Sequence, residues 1–147
     1  RNWTPPPWHA KPAARFQFMR EMAGVDNLRS TRSTKYPGAF GLEFDIEPFG
    51  VPRRHVQVFI YNVIAHVLVD GPTDSPHRYQ DGTLCIWYPD DPPEQKWKRR
   101  DGAAVLVADI AAHLIKEEWW RITGEWPAGE VRHGAIDPLN DPRNGSR

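Results

Sequence analysis

Cysteine is almost missing from this chain: Cys85 is the only one among 147 residues. An internal disulfide framework is therefore excluded, and a lone thiol points to a reducing, cytoplasmic compartment. Long apolar runs are missing too. No stretch approaches the roughly 18 apolar residues of a membrane span. The opening "RNWTPPPWHAKP" lacks the apolar run of a secretory signal. The first residue is Arg1, not Met, which reads as a processed or trimmed chain. Net charge is absent as well, since 19 Lys and Arg balance 19 Asp and Glu. The global basic field of a dedicated nucleic-acid binder is lacking, so neither nucleic acid nor membrane is expected as a partner. The basic cluster "KWKRR" (96–100) has acids before and after it and reads as a solvated loop.

What is present is a high count of proline, 15, and of tryptophan, seven. Disordered chains are poor in aromatics, so this composition fits a compact domain with proline-shaped loops. The length fits one domain. Residues 1–12 hold four prolines and read as an extended arm. A domain over 13–134 follows, and 135–147 reads as a flexible tail.

The apolar pattern changes period along the domain. Phe16, Met19 and Ala23 predict a helix over 13–23, stopped by Gly24. "VDNLRSTRSTKYPG" (25–38) is polar, ends in Pro-Gly and reads as a loop. Leu42, Phe44 and Ile46 then alternate with Glu43, Asp45 and Glu47, a half-buried strand with its acids in water. Val56, Val58 and Ile60 mark a second strand, and 62–72 supplies a third. Short connections make these an antiparallel meander. After an irregular, proline-rich loop, 101–120 is a strong helix with Asp101 as its expected N-cap. Leu106, Ile110 and Leu114 recur every four residues, and apolar residues cover most of its circumference, so it should be largely buried. The fold class is α+β.

Between meander and helix lies "SPHRYQDGTLCIW" (75–87). Pro76 precedes Cys85 by nine residues and Gly82 precedes it by three. This spacing, the element order and "WKRRDGAAVL" resemble the ubiquitin-conjugating (UBC) enzymes. The "PHxYxDGxLCxWxP" pattern and "EEWWRITGEWPAGEVRH" resemble more closely the bacterial members encoded in CBASS anti-phage operons. The resemblance covers roughly residues 13–122. It implies a UBC fold: N-terminal helix, antiparallel meander, active-site cysteine segment and long central helix. It implies that Cys85 forms a thioester with the C-terminus of a partner, a cGAS-like nucleotidyltransferase, and passes it to an amine. The chain carries no Gly-rich phosphate loop and no second cysteine. A separate activating enzyme is therefore expected, or an operon type that dispenses with one. Where eukaryotic members carry an Asn that stabilises the oxyanion or orders the active-site loop, this sequence has His77. Ser75 replaces their His.

The residues themselves carry part of this reading. A free thiol of pKa about 8.5 is less than about one-tenth ionised at neutral pH. Arg78 and the 96–100 cluster would favour the thiolate, while Asp81, Asp90 and Asp91 would oppose it. Thioester exchange asks mainly for positioning and oxyanion stabilisation. Cys85 and His77 are the expected catalytic pair. His133, folded back from the tail, and Asp90 or Asp91, orienting an amine, are candidate supports. Tyr79 and Trp87 are candidate walls of a cysteine groove. His113 interrupts the helix and reads as a hydrogen-bonded core residue. His9, His55 and His66 show no ligand spacing, so no metal or cofactor is expected. Two other classes stay open: a UBC-like binding module without chemistry, and a cysteine hydrolase using Cys85 with His77 or His133. Lys96 is the candidate acceptor lysine nearest Cys85 in sequence.

Overall fold

The computed structural model describes residues 3–87 and 90–127. Helix α1 spans Pro12–Glu21. Four strands follow: β1 (Asp26–Thr31), β2 (Phe40–Ile46), β3 (Arg54–Tyr61) and β4 (Ile64–Val69). They pair antiparallel in sequence order. Helix α2, Ala103–Thr123, comes last among the described residues. The architecture is α+β, with a four-stranded meander and one long helix.

Alternation fixes the sheet's two faces. Leu42, Phe44, Val56, Val58 and Ile60 are buried on the inner face. They meet Leu106, Ile110 and Leu114 of α2 and Phe18 and Met22 of α1 in one core. The expected stripe on α1 has the wrong phase. Phe16 is 67% exposed, while Phe18 and Met22, four apart, are the buried pair. Both stripes have helical spacing, and only the docking of α1 on Phe40 and Trp97 chooses between them.

Three further expectations are corrected. Residues 26–31 form strand β1, not loop. This strand pairs on one edge only and exposes most of its side chains, so it carries no apolar alternation. Glu43 is not in open water: Arg29, His55 and Gln57 close over it on the outer face. Asp101 does not cap α2. Its carboxylate accepts the Lys98 N–H at 2.9 Å within a 3-10 turn, and Gly102 holds the N-cap with φ of 89°. The Ala103 N–H instead approaches the Glu21 carboxylate of α1 at 3.4 Å. An acid from a neighbouring helix thus faces the positive end of α2.

Candidate functional site around Cys85

The cysteine segment is shaped by its own backbone. Tyr79 N–H donates to the Thr83 carbonyl at 2.9 Å, and Gly82 N–H returns to Tyr79 at 2.9 Å. Gly82 has φ of 86°, which a Cβ would disfavour. Asp81 accepts the Thr83 N–H at 2.9 Å and pairs with Lys35 from the β1–β2 loop. Those contacts, Lys35 first, hold the Asp81 carboxyl below its usual range. Two further bonds bracket the thiol. Leu84 N–H donates to Val67 of β4 at 2.9 Å, and Cys85 N–H donates to the His77 carbonyl at 2.8 Å. Leu84 is buried; Cys85 is half-buried. The thiol thus sits one residue beyond an anchor in the core.

His77 has φ of 63°, the left-handed region. Asn and His both tolerate that region better than most residues. Backbone geometry alone therefore accounts for either residue at this position.

Beneath the segment lies a buried ionic cluster. Glu117 of α2 is 1% exposed. It accepts from Arg78 Nε at 2.7 Å, Arg78 Nη2 at 2.9 Å and Ser75 Oγ at 2.5 Å. Arg78 Nη1 also donates to the Val69 and Gly82 carbonyls at 3.3 and 3.2 Å. Burial works against the Glu117 charge, yet these hydrogen bonds, led by Arg78, hold its carboxyl well below the usual range. Arg78 is thus committed to Glu117 and the backbone. The expectation that its charge serves the thiol is corrected. The 96–100 cluster divides likewise. Trp97 enters the core, Arg99 pairs with Glu21 and covers the Trp8 and Phe18 rings, and Lys98 donates to the Pro93 and Lys96 carbonyls.

Cys85 borders a recess of about 30 Å3 shared with His77, Trp87, Asp109, His113 and Trp126. His113 is 6% exposed, and burial lowers its pKa. Its Nε2 lies 3.7 Å from Glu117, beyond hydrogen-bonding distance, and has no bonded partner. The expected hydrogen-bonded core histidine is thus buried but unsatisfied at that atom. The Trp126 ring lies 4.5 Å from His77 and 5.5 Å from His113. On the other side an apolar groove of about 660 Å3 runs from Val63 and Ile64 past Leu84 to Tyr79 and Trp87. Tyr79 and Trp87 line this groove, whereas of the two only Trp87 also borders the recess beside Cys85. The Tyr79 phenol is pushed up to about 12, first by burial and then by the neighbouring Cys85, and its hydroxyl donates to the Trp87 carbonyl at 3.5 Å.

His77 therefore meets Cys85. Asp90 is exposed and Asp91 half-buried, and neither borders the recess. His133 lies outside the described residues. Lys96 borders the groove. Sequence reasoning missed Trp126 and the polar face of α2. One signal was present: Asp109, His113, Lys116 and Glu117 recur at i, i+4, i+7 and i+8 on an otherwise apolar helix. All four are buried.

Meander, anchored hairpin and covered helix together make an α+β domain built to present one half-exposed thiol between a groove and a recess. The family model of Type II CBASS E2 proteins matches residues 17–134, which include all four strands, Cys85 and α2, and the chain belongs to that family. No curated protein and no solved structure matches the chain. Among the described residues no helix is long and apolar enough to cross a membrane.

Proposed function

We propose that this protein is a UBC-fold acyl carrier of a CBASS anti-phage operon. Residues 13–134 form the domain. Cys85 accepts the C-terminus of a cGAS-like nucleotidyltransferase as a thioester and passes it to an amine. The observation that carries this reading is the placement of Cys85. Cys85 is only half-buried, its amide is tied to His77, and its neighbour Leu84 is locked to β4. Such an anchored nucleophile suits transfer chemistry, where positioning does most of the work. The Tyr79 phenol, beside Cys85, stays protonated at neutral pH. His77 lies beside the reacting atoms. The groove along Val63, Ile64 and Leu84 takes an extended chain end. Asp91 and His133 remain candidates for orienting the amine, and Asp90 a weaker one given its exposure.

The test is direct. The protein is mixed with the operon's nucleotidyltransferase, with an activating enzyme and ATP where the operon encodes them. A covalent species joining the two proteins should form. A thioester should be lost on adding a thiol, and an amide on a lysine should survive. Cys85→Ala should abolish both and Cys85→Ser should trap a slower, thiol-resistant ester. Cys85→Ala should cost far less stability than the roughly 3 kcal/mol of a large core truncation. If Cys85→Ala still forms the conjugate, the protein is a binding module.

A further inference from the structure

The recess beside Cys85 holds an unusual set of buried atoms. Trp87 Nε1, Trp126 Nε1 and His113 Nε2 are all buried without a hydrogen-bond partner. The three side chains come from different parts of the chain, yet all border the same recess, and Cys85 borders it too. Buried polar groups are nearly always paired, so three orphans around one small space call for an explanation. About 30 Å3 is room for a single water-sized atom.

The chemistry of the orphans restricts what that atom is. An indole N–H donates and cannot accept. Burial favours neutral His113, and a neutral imidazole carries one N–H donor and one acceptor nitrogen. Lys116 and Asp109, both buried, also border this space. A site bordered by two tryptophans whose buried indole N–H groups lack partners suits an oxygen bearing lone pairs or negative charge.

We propose that this recess receives the acyl oxygen of the group transferred to Cys85, with Trp87 and Trp126 as its principal hydrogen-bond donors. The inference rests on the acyl-carrier reading. The Cys85 thiolate adds to the donor's thioester carbonyl carbon, and a carbon–sulfur bond forms. The carbonyl π electrons move onto oxygen, and that oxyanion lies within one atom's reach of the sulfur. Collapse re-forms the carbonyl and expels the donor thiolate, which takes up the proton lost from Cys85. The indole N–H groups strengthen their bonds as charge develops, so they favour the transition state over the ground state. The His77 ring, packed on Trp126, holds that indole in place.

The probe is a glycine-terminated peptide thioester of mercaptoethanesulfonate, which needs no partner protein. Acyl transfer to Cys85 is followed by intact mass. Alkylation of Cys85 by iodoacetamide is the companion reaction, because it uses the same thiolate and forms no oxyanion. Trp87→Phe and Trp126→Phe keep an aromatic ring and remove the N–H. Each should slow acylation by about 100-fold or more, the usual loss for one such donor, with alkylation within about twofold of wild type. Where Trp126→Phe loosens the fold, benzothienylalanine at that position keeps the bicyclic shape without the N–H, and the same split is expected. The inference is overturned if both variants acylate at the wild-type rate, or if alkylation falls in parallel. A wild-type protein that is alkylated but never acylated sinks the acyl-carrier reading, and the inference with it.

Discussion

Two clusters in this molecule use the same residue types in opposite settings. On the outer face of the sheet, His55 lies between Asp45, 2.7 Å from Nδ1, and Glu43, 3.2 Å from Nε2. Arg29 and Arg53 complete that cluster. Beneath the cysteine hairpin, Glu117 holds Arg78 and Ser75, with His113 and Arg121 nearby. The outer cluster lies on the outer face of the sheet, where the His55 side chain keeps about a third of its surface in water. The inner one is sealed between α2 and the hairpin. In the open setting a carboxylate protects a histidine's charge: Asp45, then burial in opposition, then Glu43 act on His55, and its pKa rises. In the sealed setting desolvation dominates, and the His113 pKa falls although Glu117 is near. Proximity to a carboxylate does not decide a histidine's charge; solvent access does.

The comparison is broken most sharply by removing one partner of the sealed pair. Glu117→Ala leaves Arg78 buried and uncompensated, with a side chain 2% exposed. Breaking such a pair costs about 3–5 kcal/mol. Chemical denaturation should show that loss. Replacing both partners together, Arg78→Met with Glu117→Leu, should cost much less, because no stranded charge remains. The double variant should nonetheless acylate Cys85 more slowly, since Arg78 also ties the hairpin to the Val69 and Gly82 carbonyls. A double variant as unstable as Glu117→Ala would mean the pair itself holds the fold.

The next effect separates the two histidines by pH. His113 has a folded pKa below its unfolded value of about 6.5. As pH drops below about 6.5, the unfolded chain takes up a proton that the folded chain refuses. Stability therefore falls over that window, by at most about 1.4 kcal/mol per pH unit for this one group. His113→Phe should flatten that part of the curve. An unchanged slope would show that His113 is not desolvated as its burial requires.

What the sequence disclosed follows the same divide. The inner faces of β2 and β3 were legible because alternation records burial on one side, and β4 was legible as a strand without its faces. The burial of α2 was legible from its apolar content. Pro76, Gly82 and Cys85 stood out through the resemblance of their spacing to that of UBC enzymes. Strand β1 was not, since an exposed edge strand needs no apolar face. Nor was the partnership of Ser75, Arg78 and Glu117, up to 42 residues apart and polar, as surface residues are. Trp126 borders the recess from beyond the end of α2, and only tertiary folding brings it to His77.

The smallest effect belongs to the open cluster. The His55 pKa is raised by Asp45 and Glu43, so its contribution is fully present below about 6.5 and is lost as pH rises through the higher folded value. That sign is opposite to the sign for His113. Asp45 behaves in turn as a carboxylate held down to about 2, with Asn27 and then His55 as the main causes. Its contribution is present above the unfolded value of about 3.9 and fades as pH falls towards 2. His55→Ala should therefore move the unfolding midpoint by no more than about 3 °C at pH 6, the scale of a weak surface interaction in a domain of this size. The shift should shrink further at pH 8. Salt gives the decisive control. At 1 M the screening length drops to about 3 Å, so the His55 contribution should vanish into the wild-type background. The His113 slope should survive, because desolvation is not a pairwise attraction that ions can screen. If both slopes collapse in salt, the two clusters are alike after all, and the seal beneath the cysteine hairpin is open to water.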